Sequence, residues 1–158
     1  MENHIIKQLW IARENTINFV KNLEEATSEL VPDQLNNNIK WNLGHIYVVS
    51  EKFLFHFIGE KTKFPSNYLA FFDTGTSPTD WRAKPPTLEE LIDVLSEQIK
   101  RINLTLSGRM DEQVKETYTT STGFELIIVK EFVSFCLYHE GMHFGAIKNT
   151  SKLAKEVS

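Results

Sequence analysis

One cysteine, Cys136, stands in 158 residues. An internal disulfide is thereby excluded, and the thiol usage suits a reducing compartment. Long apolar runs are missing too: no stretch of about 18 uninterrupted apolar residues occurs, so no helix is expected to span a membrane. The first ten residues, MENHIIKQLW, carry polar side chains where a secretory leader needs an apolar centre. A soluble cytoplasmic protein is the expectation. Positive charge is nowhere concentrated. Seventeen basic residues stand against 21 acidic ones, for a net charge of -4, and no basic cluster offers the footprint that a nucleic-acid partner needs. Internal repeats and low-complexity tracts are absent. The length suits a single domain over residues 1–158 whose core needs no covalent staples.

What is present is helical periodicity, and it predicts an all-α four-helix bundle. A first helix is expected over about 4–26, with Ile6, Leu9, Trp10, Ile17, Val20 and Leu23 on its apolar side. The asparagine-rich connection before Ile39 can cap a second helix over about 39–58, closed by Gly59. A long crossover loop from Glu60 to Pro86 then separates helices 2 and 3. It is rich in proline and aromatics, which fits a packed rim or plug better than a disordered link. Thr87-Leu88-Glu89-Glu90 spells a capping box for a third helix ending near Gly108. Met110 to Gly123 forms a polar connector with room for a short hairpin. Thr122-Gly123-Phe124-Glu125 repeats the capping pattern, so a fourth helix is expected from there to about Ser151. Because that helix is apolar on almost every face, it should be covered both by its own subunit and by a second copy, as a homodimer.

His139-Glu140-Gly141-Met142-His143 lies within this last helix. Imidazoles four residues apart share one helix face, one turn above the other, which is how a helix offers two ligands to a single ion. Five histidines scattered at random would give such a pair about one time in eight, so the surroundings must decide. Here they are apolar, and a buried polar group without a partner costs about 1–3 kcal/mol. A metal satisfies both rings at once. His45 is the other inward, mid-helix histidine. Taken alone, it reads as a core imidazole bonded to a carbonyl. His4 falls at a helix start, and His56 lies about 16 Å along the axis from His45, too far to share its ion. Cys136 is on the same stripe as His139 and His143 but about 10 Å from His143, a strained distance for a common ion. Three imidazoles leave an open position, the arrangement of a catalytic site, and suit zinc, nickel, iron or copper.

The spelling H-E-x-x-H also belongs to zinc proteases, with the Glu as general base. Such enzymes take a third ligand well downstream. The 15 residues after His143 contain no histidine and only Glu156 as a carboxylate, and strand-like segments to align a peptide are lacking.

Taken together, Trp41-Asn42-Leu43-Gly44-His45, the loop Gly75-Thr76-Ser77-Pro78, and His139-Glu140-Gly141-Met142-His143-Phe144-Gly145 resemble the DinB-like (YfiT-like) four-helix metalloprotein superfamily over nearly the whole chain. The resemblance implies a bundle, often dimeric, holding a divalent metal on His45, His139 and His143. Where the family's helix commonly continues with Gln, Ala146 stands here. Relatives include transferases and isomerases that use low-molecular-weight thiols, and metal-dependent hydrolases. The implied function is activation of a water or thiol nucleophile toward a small-molecule substrate, with Glu140 as candidate catalytic base, as a residue orienting a ligand, or in a merely structural role. A metal-stabilised bundle that binds a partner without turnover is the alternative.

Overall fold

The computed structural model describes residues 3–157. The first helix, α1 (His4–Val20), is capped by Asn3, whose side chain accepts the Ile5 and Ile6 N–H groups at 3.1 and 3.3 Å. It stops short of the expected boundary near residue 26. The chain turns and begins a separate short helix, α2 (Glu25–Glu29). Glu25 explains the break: its carboxylate accepts the Leu88 N–H and pairs with the buried Lys40, which also meets Glu29 at 2.7 Å. These contacts pull α2 toward the ends of two later helices.

Asn38 caps α3 (Ile39–Glu51), accepting the Trp41 N–H at 2.8 Å. The helix continues through a single π turn, Lys52–His56, and the chain leaves it at Gly59 in the left-handed region, φ 93°. The crossover is not bare loop. It carries α4 (Tyr68–Phe72) and a 3₁₀ turn, Pro78–Asp80. The expected capping box opens α5 (Leu88–Leu106), with Thr87 and Glu90 each accepting the other's backbone N–H.

The second capping pattern does not open a helix. Residues Gln113–Thr119 and Glu125–Ile128 form strands β1 and β2 of an antiparallel hairpin, pairing Tyr118 with Leu126 and Thr119 with Glu125. Thr122 and Gly123 lie in its turn, where Gly123 has φ 92° and Thr120 Oγ1 accepts the Phe124 N–H. The run of β-branched threonines with Val114 and Tyr118 favours a strand, and only glycine takes that turn conformation without strain. The last helix, α6 (Val129–Val157), starts one strand later and runs past Ser151. Glu131 caps it by accepting the Ile127 and Ile128 N–H groups.

The four long helices are α1, α3, α5 and α6. α1 and α3 each lie against both α5 and α6, which places α1 opposite α3 in the bundle. One core cluster joins Ile6 and Leu9 to Phe53, Leu54, Ile102, Leu106, Phe132 and Val133. The other joins Ile17 and Val20 to Ile39, Leu43, Leu88, Leu91 and Ile147. One end of the bundle therefore gathers the starts of α1 and α6 with the ends of α3 and α5. The helices run up, down, down, up, and the parallel neighbours α3 and α5 are what require a long crossover. Between the clusters lies a polar layer. Arg13, fully buried, reaches Glu140 on α6, the Leu95 carbonyl and Gln98 on α5, and Ser50 on α3.

All thirteen residues of α3 are buried. The helix covered on every side is thus α3 rather than α6, which leaves Tyr138 68% and Met142 50% exposed. Part of the apolar run expected on the fourth helix belongs to the hairpin, where Phe124 and Ile127 face outward. Among the described residues no helix is long and apolar enough to cross a membrane.

Candidate metal centre

α3 and α6 are antiparallel neighbours, so the middle of one meets the middle of the other. That crossing brings His45 to His139 and His143. One nitrogen from each ring lies within 4.8 Å of the others, and the ring centroids are 4.4–5.2 Å apart. The three sequence-predicted ligands are brought together, and the remaining histidines are not. His56 is exposed, 3.4 Å from Glu116. His4 is exposed at the start of α1. Cys136 is buried outside the cluster, and burial pushes its thiol pKa well above the ordinary range, a protonated form unsuited to a metal.

The cluster is neutral at physiological pH. Burial lowers the pKa of His139 to about 3, helped by His143 and His45, and that of His143 to about 4, helped by His45. Burial also lowers His45, against the opposing pull of its hydrogen bond to Phe72. Neutral imidazoles keep a lone pair for an ion. Three such rings turned toward one another have no mutual hydrogen bond, whereas a divalent cation at about 2.0–2.1 Å from each nitrogen would meet all three. The donor set therefore fits a divalent metal and can hold one.

His45 is held from two directions. Its Nδ1–H donates to the Phe72 carbonyl at 2.7 Å, and its ring stacks on Trp41 with centroids 4.5 Å apart and planes at 13°. Trp41 is fixed in turn, because its Nε1–H donates to Thr76 Oγ1 at 2.9 Å. The crossover supplies both the carbonyl and the hydroxyl. Gly44 lets it come this close: a Cβ there would stand 2.2 Å from the Phe72 ring. On the other helix, His143 Nδ1 lies 2.8 Å from Asn42 Oδ1. Phe135 stacks on His139, with centroids 6.5 Å apart and planes at 18°.

Glu140, the expected base, faces away from the three rings and into the polar layer. It is 1% exposed, with Oε1 and Oε2 accepting from Arg13 Nε and Nη2 at 2.9 and 3.0 Å. Sequence spacing does not reveal that partner, nor the Phe72 carbonyl or Asn42. Only Asn42 carries a signal: an asparagine three residues before His45 shares its helix face, and a buried amide needs partners.

The sequence matches the model of the DinB superfamily over residues 8–147. No curated protein matches. A solved structure described as a conserved protein from Enterococcus faecalis aligns with a TM-score of 0.69 at 15% identity, covering 96% of this chain and 95% of that one. At that identity the likeness extends to the fold.

Proposed function

We propose, since the chain belongs to the DinB superfamily, that it is a divalent-metal-dependent enzyme of transferase or hydrolase type acting on a small molecule. The convergence of His45, His139 and His143 carries this reading. A metal bound there would supply Lewis acidity, lowering the pKa of a water or low-molecular-weight thiol until it is a nucleophile near neutral pH. Three protein ligands would leave room for that nucleophile, and the partial exposure of His143 favours approach from its side.

The chain's own residues orient and exclude. Trp41 and Phe135 flank the rings and shield them from bulk water. Glu140 acts in this proposal as a positioning residue, anchoring α6 through Arg13 between the two histidines of that helix. Both of its oxygens accept from one guanidinium, which ties the carboxylate to Arg13.

Metal content tests the ligand set. After loading with zinc, the His45→Ala, His139→Ala and His143→Ala proteins are expected to retain little or none by elemental analysis, while the unsubstituted chain holds one equivalent. Full content in any of the three removes that residue from the centre. In the cobalt-loaded protein, titration with a low-molecular-weight thiol should change the visible spectrum. An unchanged spectrum assigns the site to a closed, structural role.

A further inference from the structure

We infer that Asn42 is a positioning residue of the metal centre: it fixes His143 as the Nδ1–H tautomer and so presents Nε2 as the ligand nitrogen. The inference rests on the proposed metal-binding role of the cluster and goes beyond it to a residue that touches no metal.

The direction of each hydrogen bond in this relay follows from a group that has no choice. Asn42 Nδ2 lies 2.9 Å from the backbone carbonyl of Asn38. A carbonyl can only accept, so that end of the Asn42 side chain is the NH₂, and the end facing His143 is the oxygen. Oδ1 in turn can only accept, so His143 Nδ1, 2.8 Å away, carries the proton. A neutral imidazole has one N–H, and Nε2 is left with its lone pair. His45 arrives at the same state by a shorter route, because its Nδ1 faces the Phe72 carbonyl. Two ligands on different helices are thereby set to the same tautomer by acceptors from α3 and the crossover.

The support beneath Asn42 is equally fixed. Asn38 uses its side-chain oxygen to cap α3 at the Trp41 N–H and its NH₂ to hold the Glu29 carbonyl at 3.0 Å. Both asparagines are buried, at 1% and 4% exposure. Two buried amides in succession at the start of a helix are costly unless both ends of each are bonded, and here they are. The same geometry gives Asn42 a use that helix formation alone does not require. Partners of this kind keep a ligand ring oriented, and their loss typically weakens metal binding about 10- to 100-fold.

Nitrogen-15 NMR of the imidazoles in the metal-free protein reads the tautomer without any metal. The expected spectrum shows His143 with its proton on Nδ1. In Asn42→Leu it should redistribute toward Nε2–H, and zinc affinity measured by chelator competition should fall about 10- to 100-fold. Asn42→Asp keeps an acceptor for Nδ1–H and should keep the Nδ1–H tautomer, while the loss of its donor to the Asn38 carbonyl is read separately as a fall in stability. A His143 found as Nε2–H in the unsubstituted protein overturns the inference whether or not the variants fold. So does an Asn42→Leu protein with native circular dichroism, unchanged tautomer and unchanged zinc affinity. If the unsubstituted protein binds no divalent metal while His143 remains Nδ1–H and shifts in Asn42→Leu, the metal-centre reading fails and only the control of the His143 tautomer by Asn42 stands.

Discussion

His45 illustrates how two readings of one residue can both hold. The sequence allows either a core imidazole bonded to a carbonyl or a metal ligand, and the ring has features of both: Nδ1 meets the Phe72 carbonyl, and the ring joins His139 and His143 in a cluster that could hold an ion. Periodicity is enough to find it, because facing inward is a property of spacing. Arg13 is invisible for the same reason. A long cation on an amphipathic helix looks like surface until the neighbours that satisfy it are known, and these come from residues 37 to 127 positions away. The pair it forms with Glu140 is a sharp test of what that carboxylate does. Arg13→Ala leaves a buried carboxylate alone and should cost about 3–5 kcal/mol in urea unfolding, whereas the joint change Arg13→Met with Glu140→Leu should recover most of it. Glu140→Gln should keep its zinc and lose stability. If instead it unfolds like the original and loses only turnover, Glu140 is the base.

At the scale of elements, boundaries set by local chemistry are legible and those set by tertiary contacts are not. The Asn38 cap, the Thr87–Glu90 box and the Gly59 stop are encoded within a few residues, and each appears where expected. The end of α1 depends on Glu25 meeting Leu88 and Lys40, which spacing cannot show. Thr122-Gly123-Phe124-Glu125 satisfies the pattern of a cap, but the strands on either side decide its conformation. The outer face of α6 matters for assembly. Tyr138 and Met142 are exposed beside Gly141, where an added Cβ would meet nothing within 4 Å, and this open face supports the proposed homodimer. Light scattering at micromolar concentration should then give twice 18.3 kDa, and Met142→Glu should return the monomer. A mass of 18.3 kDa for the unsubstituted protein ends that proposal.

For the whole molecule, the three-histidine cluster sits where the up-down-down-up bundle brings antiparallel helices together, so histidines that lie far apart in the sequence depend on the entire fold. That dependence has a pH signature. Unfolded imidazoles titrate near 6.5, while in the metal-free fold burial holds His139 near 3 and His143 near 4. Between those limits the unfolded chain binds more protons than the native one. The stability of the metal-free protein should therefore be greatest above about pH 6.5 and decline as pH falls through that value toward about 4. Replacing both residues with Gln should flatten that decline in urea titrations compared at neutral and mildly acidic pH. An equally steep fall in the double variant would show that other groups govern it.

The contact between Gly44 and Phe72 also bears on the order in which the molecule is assembled. Helices α3 and α6 can meet without the crossover, but His45 gains its carbonyl partner only once α4 has settled onto the bare backbone at Gly44. Closing that long segment is an entropic step of its own, and it must precede the stage at which all three rings are held. Any ion the three histidines hold would then depend on the crossover: a chain that has not docked α4 has the histidines but not yet the carbonyl that sets the His45 ring.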